Sequence, residues 1–323
     1  MGKRLVWTAA IALFCLPLQA MAAPQTATDT QAATWQATPR LTLEAGIGHL
    51  SARADELSYD TSAHRLLSQL NWQVNDAAIL KGAIRLGLTD WLSTAVSGWT
   101  VAASDNVADD YDWLVAPYTQ WSDHSHHPDT RLPVAWQGEF DIAARLYHDH
   151  GVSLGVMGGY QWTHFKWAAY GGSYIYSEAG FRDTSGVFPA SQLDSTYAQS
   201  FSAPFLGASG DYAFGHGWQL GLAFKGSPWA VSASDVDHHF LRQLIYWDKA
   251  NQSHLWSVRG DVAYDVDTNL QLEGSLEYQL YTLGEGPTFV LDQTTGSRTT
   301  FAGNASGIRN QMLMLSVGLR YAM

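Results

Sequence analysis

Hydrophobic and polar residues alternate along much of this chain. From Val134 to Leu146 the even positions read Val, Trp, Gly, Phe, Ile, Ala, Leu, and the odd ones Ala, Gln, Glu, Asp, Ala, Arg. In "GWQLGLAFKG" the even positions are Trp218, Leu220, Leu222 and Phe224. Asn269 to Leu283 and Leu313 to Met323 repeat the pattern. A period of two predicts strands with one apolar face. A sandwich also has such faces, so alternation alone does not choose the architecture. The connections help to choose. Tight turns fall at 148–151, 214–217 and 265–269, and long polar stretches at 104–133, 167–197, 236–253 and 285–310. Short and long connections in strict alternation predict an outer-membrane barrel with short periplasmic turns and long extracellular loops.

The reading gives strands near 41–53, 66–76, 91–103, 134–147, 152–167, 198–213, 217–235, 254–265, 269–284 and 312–323. That is a ten-stranded antiparallel transmembrane β-barrel, all-β and extending above the outer membrane. Bacterial barrels use even strand numbers, so 77–90 is expected as a periplasmic excursion rather than an eleventh crossing.

Composition sharpens this picture. No run of about 18 apolar residues follows residue 22, so helical spans are excluded. The first 22 residues, with Lys3 and Arg4 before an apolar stretch and "AMA" before Ala23, read as a signal peptide. The lone cysteine, Cys15, lies inside it. Residues 23–323 form one barrel domain, with 23–38 as a loose leader. The formal charge is −12, and becomes −14 once Lys3 and Arg4 leave. Such a chain is a poor nucleic-acid binder and suits cationic ligands. Aromatics at 13 %, with 14 Trp and 15 Tyr, fit interfacial girdles.

The candidate chemistry sits in "SASDVDHHF". If the even positions of 218–224 face lipid, the odd series faces the lumen and continues to Asp235, Asp237 and His239. These lie about ten residues beyond the apolar belt, on the order of 20 Å above it, at the barrel mouth. A one-residue bulge between Ser227 and Ala233 reverses this register. Asp110 and Asp112 form a second acidic pair at the same spacing, on the same side. Two such pairs facing each other can hold a water between them. An imidazole oriented by a carboxylate takes the water's proton, and the opposing carboxylates accept its remaining hydrogen bonds. The plainer reading is that Asp and His are ordinary in solvated loops. "SDHSHHPDT" brings His124, His126 and His127 together without a known metal spacing, so no metal is expected. Ser125 beside histidines invites a serine-hydrolase reading, but no nucleophile elbow surrounds it.

"WSDHSHHPDT" (121–130), "GYQWTHFKWAAYGGSY" (159–174) and "GGSYIYSEAGFRD" (171–183) resemble signature segments of the omptins, ten-stranded outer-membrane endopeptidases of Gram-negative bacteria. "SQLNW" (68–72), "KGAI" (81–84) and "SDVDHHF" (234–240) follow suit, and the resemblance spans 41–323. It implies that Asp237 and His239 match the Asp–His pair that activates water. Asp110 and Asp112 match the opposing pair. Glu56 and Asp235 match the acidic pocket for the residue before the scissile bond, so the implied substrates are cationic peptides or proteins cut after Lys or Arg, often between two basic residues. Asp123 and Ser125 match supporting positions. The resemblance implies no cofactor, a monomer, and contact with lipopolysaccharide through basic side chains. Here His164 and Ser200 replace two expected arginines and Trp162 replaces an acid, whereas Tyr160 is kept and Lys166 lies nearby. These departures count against lipopolysaccharide dependence. The chain also ends in Met323 where such barrels usually end in Phe. Plasminogen, antimicrobial peptides and complement proteins are implied targets, with a role in virulence.

Other readings weigh less. An adhesin or invasin acting through its loops needs none of the acids or His239. A pore needs an open lumen, which ten strands do not leave. A lipid hydrolase needs Ser–His partners facing lipid.

Overall fold

A computed structural model describes residues 41–227, 229 and 231–323. The expected signal peptide and leader lie outside the described residues. Twelve strand segments follow one another: β1 (Leu41–Asp60), β2 (Arg65–Gly87), β3 (Leu92–Asp112), β4 (Asp123–Asp149), β5 (Val152–Tyr176), β6 (Thr184–Gly215), β7 (Trp218–Gly226), β8 (Val231–His239), β9 (Leu244–Ser253), β10 (Leu255–Asp265), β11 (Leu270–Asp292) and β12 (Arg298–Ala322). β7 and β8 pair end to end along β6, and β9 and β10 along β11. Twelve segments thus make ten staves. β1 pairs with β12 from Thr42↔Ala322 to Ser58↔Ser306, which closes the antiparallel ring.

The alternating residues form the outer wall. Trp218, Leu220, Leu222 and Phe224 are all exposed, as are Leu313, Leu315, Val317 and Leu319. In lipid such exposure is burial, so the wall needs no second sheet. The inward face is polar and charge-paired. Lys225 Nζ lies 2.6 Å from Glu139 and 3.2 Å from Gln161, and Arg320 lies 2.6 Å from Glu273. These groups fill the lumen. Above them sits a layer of buried aromatics. Phe201 stacks on Tyr281 (4.0 Å), Phe165 on Trp167 (5.1 Å) and Trp72 on Tyr197 (5.4 Å). Such pairs are worth ~0.5–1.5 kcal/mol each beyond their area, and they form the floor beneath the mouth.

At the short-turn end, His150–Gly151 and His216–Gly217 have positive φ at both positions. That is the two-residue turn whose twist matches antiparallel strands. At the other end the staves continue well beyond the apolar belt. The stretches expected as long loops are mostly strand: β3 and β4 are separated only by 113–122, β8 and β9 by 240–243, and β11 and β12 by 293–297. Above the lipid both faces of a strand can be polar, so the apolar period vanishes while the hydrogen-bond ladder continues.

Residues 77–90 are not an excursion. β2 runs unbroken to Gly87, and the short turn lies at 88–91. A bulge explains the misreading. Val74 pairs with Asn106 and Asp76 with Asp105, leaving Asn75 extra. Before it the buried positions are even (Leu70, Trp72, Val74); after it they are odd (Ala77, Ile79). The flipped phase imitates a strand end. The strand count remains ten because one stave is longer, not because one is added.

Leu80 faces outward and lies between Ile47 and Thr100 in the ladder. Leu80→Arg should destabilise the barrel by ~2–4 kcal/mol, as charge does on the lipid face near the midplane. The check is the urea midpoint of refolded protein in vesicles. An unmoved midpoint would place Leu80 outside the membrane wall.

Candidate active site

The site grows from the strand ends above the belt. Asp110 and Asp112 close β3, where Asp110 stands opposite Leu70 and Ser125 and Asp112 opposite Ser68 and Asp123. Ser68 Oγ donates to Asp110 at 3.1 Å. On the far wall, β8 carries Asp235, Asp237 and His239. Their direction depends on the join with β7. Gly226 stands opposite Leu206, and Ser232 opposite Ser202. Six steps along this stave therefore face four along β6. The irregularity adds two residues, an even number, so the inward series continues from Lys225 to His239. A one-residue bulge would have turned the cluster outward.

His239 Nε2 lies 2.6 Å from Asp237 Oδ2. That contact fixes the neutral tautomer: Nε2–H donates to the carboxylate, and Nδ1 keeps the lone pair. Burial opposes the imidazolium, but the Asp237 charge and hydrogen bond outweigh it, and His239 stands above its ordinary pKa. Asp110 is pushed up to about 8 by burial and by the Asp112 charge, against the pull of His239 and Arg242. Burial also raises Asp112, opposed by Arg242, whose Nη2 lies 3.9 Å from Asp112 Oδ2. Two buried carboxylates this close do not both ionise readily, so near neutral pH the pair holds a proton.

Between these walls lies a small cavity whose lining includes Asp110, Ser125, His127, Asp194 and His239. Its volume of about 10 Å³ is near the room that one water centre requires. Ser125 Oγ lies 3.0 Å from His127 Nε2, and His127 Nδ1 lies 2.6 Å from the Gly171 carbonyl. Nδ1–H therefore donates to the carbonyl, and Nε2 accepts from the serine. Asp123 stands outside the cavity. Its carboxylate accepts from Ser122 Oγ (2.5 Å) and from the Ser177 amide (2.9 Å), tying β4 to the 177–183 loop.

Glu56 and Asp235 meet in the floor beside the dyad, both nearly inaccessible. A third carboxylate, Asp248 on β9, lies with them. One oxygen from each lies within 4.8 Å of the others, the one group of carboxylates, histidines or cysteines among the described residues placed to share a cation.

The structure thus brings Asp110, Asp112, Asp237 and His239 to one mouth, with Glu56 and Asp235 beneath them. Sequence reasoning did not single out Asp248, Arg242 or the Ser125–His127 contact. A hairpin signal was available for the first. Folding "DVDHHFLRQLIYWD" about Leu241–Arg242 sets Asp235 against Asp248 and Asp237 against Tyr246, as the β8–β9 register has it. Reading 236–253 as a loop hid this pairing.

Comparison with known proteins points one way. The family model described as the Omptin family matches residues 37–323. The plasminogen activator of Yersinia pestis is 34% identical over 281 residues, covering 87% of this chain and 88% of that protein. Protease 7 of Escherichia coli strain K12 is 35% identical over 283 residues, covering 85% and 88%. The crystal structure of the outer membrane protease OmpT from Escherichia coli superposes with a TM-score of 0.84 at 32% identity, covering 90% of this chain and 99% of that one. Ten closed staves, a mouth lined with acids and similarity along nearly the whole barrel agree, and this chain belongs to the omptin family.

Proposed function

We propose that this protein is an outer-membrane endopeptidase that cleaves after basic residues, with its mouth on the extracellular side. The observation that carries the reading is the water-sized cavity bordered by His239 on one wall and Asp110 on the other. The water gives its proton to Nδ1 of His239, while Asp237 holds Nε2–H and stabilises the imidazolium. The ionised member of the Asp110–Asp112 pair accepts the water's second hydrogen. The proton on that pair is available to the carbonyl oxygen as negative charge develops there. The imidazolium then protonates the leaving amine as the C–N bond breaks, and the proton on the former carbonyl oxygen returns to the acid pair as the C=O re-forms, which restores the site to its starting state. Glu56 and Asp235 receive the basic side chain before the scissile bond, and the overall charge of −12 draws cationic chains toward the mouth.

The Ser125–His127 contact at 3.0 Å favours a serine nucleophile as a second reading. Its histidine is oriented by a carbonyl rather than a carboxylate, and its nearest acid, Asp194, stands 3.6 Å from the nitrogen that faces the serine. We therefore give Ser125 a supporting role.

General-base loss typically costs ~10²–10⁴-fold. His239→Ala, Asp237→Asn, Asp110→Asn and Asp112→Asn should each lower turnover of a fluorogenic dibasic peptide by at least ~10²-fold, with heat-modifiable migration of the folded barrel retained. Ser125→Ala should keep measurable activity, and chelators should leave it intact. The pH profile follows from the shifts. His239 must be neutral, so activity is lost as pH falls through its raised pKa. The acid pair must hold a proton, so activity falls again as that proton leaves near the Asp110 value of about 8. A covalent adduct at Ser125 with a serine-directed phosphonate, or full activity of His239→Ala, would overturn the dyad.

Specificity is a separate outcome. A charge-assisted contact is worth ~1.5–3 kcal/mol, so Glu56→Gln should reduce kcat/KM on arginine substrates by roughly 10- to 100-fold. Wild-type protein that cleaves mainly after Leu or Phe would remove the pocket assignment.

Lipopolysaccharide contact is proposed to be weak. His164 Nδ1 and Ser200 Oγ bond to each other at 2.9 Å on the outer wall, a pair without the strong phosphate-binding fork of arginine. Refolded protein should gain little activity from added lipopolysaccharide, and His164→Arg with Ser200→Arg should increase that gain. An unchanged response in the double variant would dismiss the idea.

A further inference from the structure

We infer that Asp248 is a specificity-determining residue, a third carboxylate that meets the substrate's cationic side chain together with Glu56 and Asp235. This inference rests on the reading of the mouth as a basic-site peptidase.

The local fold makes the placement definite. The hairpin formed by β8 and β9 sets Asp248 directly opposite Asp235. Like charges in that relation are destabilising, and more so without water. Glu56 arrives from β1, three staves away around the ring. All three residues are at most 3% exposed. A chain optimised only for stability does not gather three acids in one dry place.

The unpaired atoms show what the arrangement lacks. Glu56 Oε2, Asp235 Oδ1 and Asp248 Oδ1 are buried acceptors with no hydrogen-bond partner among the described residues. The other oxygen of Asp235 is held by a phenol, Tyr197 OH at 2.8 Å. Buried acceptors are nearly always satisfied in folded proteins, so three orphans in one group mark the place of a missing donor. That donor must carry positive charge to offset the carboxylates. A guanidinium offers five N–H donors and an ammonium three, and either can serve three oxygens at once. In the empty pocket protons stand in for the cation. Burial raises all three acids, Asp248 to about 7, with Asp237 adding to the effect.

A prediction with two opposite signs follows. Removing one acid spares the empty protein the cost of holding three acids in one dry place, as like charges or as protons taken up against their ordinary pKa, and it also deprives the bound cation of an acceptor. Asp248→Asn keeps the side chain's shape and removes only its charge. It should therefore raise the melting temperature of the refolded barrel. The same change should raise KM for a peptide with arginine before the scissile bond by about 10-fold or more, with kcat changed by less than about 3-fold. Replacing that arginine by citrulline, nearly the same shape without charge, should cost the variant less than it costs the wild type. Asp248→Ser provides a smaller neutral side chain if the asparagine form assembles poorly.

The outcomes separate the two claims. Cleavage after arginine by the wild type tests the peptidase reading; its failure there removes both. If the wild type cleaves after arginine and both variants keep its KM and its citrulline discrimination, the role of Asp248 falls alone. A lower melting temperature with a lower kcat and an unchanged KM would assign Asp248 to structure and overturn the inference.

Discussion

The pairing of β1 with β12 is the constraint on which everything else depends. Inside a bilayer no water satisfies a free N–H or C=O, so an open sheet edge is untenable and the ladder must close. The register from Thr42↔Ala322 to Ser58↔Ser306 does this along the whole length of the stave. It does more than seal the membrane part. The same ladder carries Glu56 up to stand opposite Ile308, above the apolar belt and within reach of β8 and β9. The pocket is therefore assembled by the closure. An unclosed sheet would leave Glu56 on one edge, six staves along the sheet from Asp235.

A closed ring of ten staves is narrow, and its inside must be filled. The lower lumen is filled by charge pairs such as Lys225 with Glu139, and the level above by the stack of Trp72, Tyr197, Trp167 and Phe165. These layers deny the mouth a passage to the other end. They also provide it with a dry floor. Asp237 and Asp235 rest at the level of Tyr197 and Gln199, their partners on β6. Low solvation there does two things at once. It strengthens the His239–Asp237 contact, and it makes ionising several acids together costly. The site is thus a place where stability has been given up, held in shape by a fold rigid enough to withstand it.

The sequence made some of this legible and hid the rest for definite physical reasons. The belt could be read because lipid outside and polar lumen inside force a period of two at each level. The inward direction of Asp235, Asp237 and His239 could be read from the odd series of 218–224, and it survives because the intervening irregularity is even. Asn75 shows the opposite case. One extra residue exchanges the two faces, and the apolar signal at 77–86 then looks like a separate element. Above the belt the period has no cause, since water lies outside and polar groups within. Strands there read as loops, and the β8–β9 hairpin stayed hidden with Asp248 inside it. The spacing of Asp110 and Asp112 marked them as a second acidic pair, whereas only the motifs of the omptin resemblance named Glu56, because it joins the other acids only through closure.

The two features singled out along this chain fall on opposite sides of the wall. Outside, His164 and Ser200 hold each other where strong phosphate binders were expected. Inside, Asp248 adds an acid to a pocket that two carboxylates already define. The first leaves the outer wall without an arginine fork at that level. The second is the acid we propose for a cationic substrate, and it stands on a strand that the outer wall does not constrain. β9 pairs with β8 and β11 above the belt, so its inward residues can change without altering the lipid face. A stave that continues beyond the membrane therefore separates two demands that conflict below it. The lower half must satisfy lipid on one face and a packed lumen on the other. The upper half needs only its ladder, which leaves the side chains at the mouth free to be shaped by what they bind.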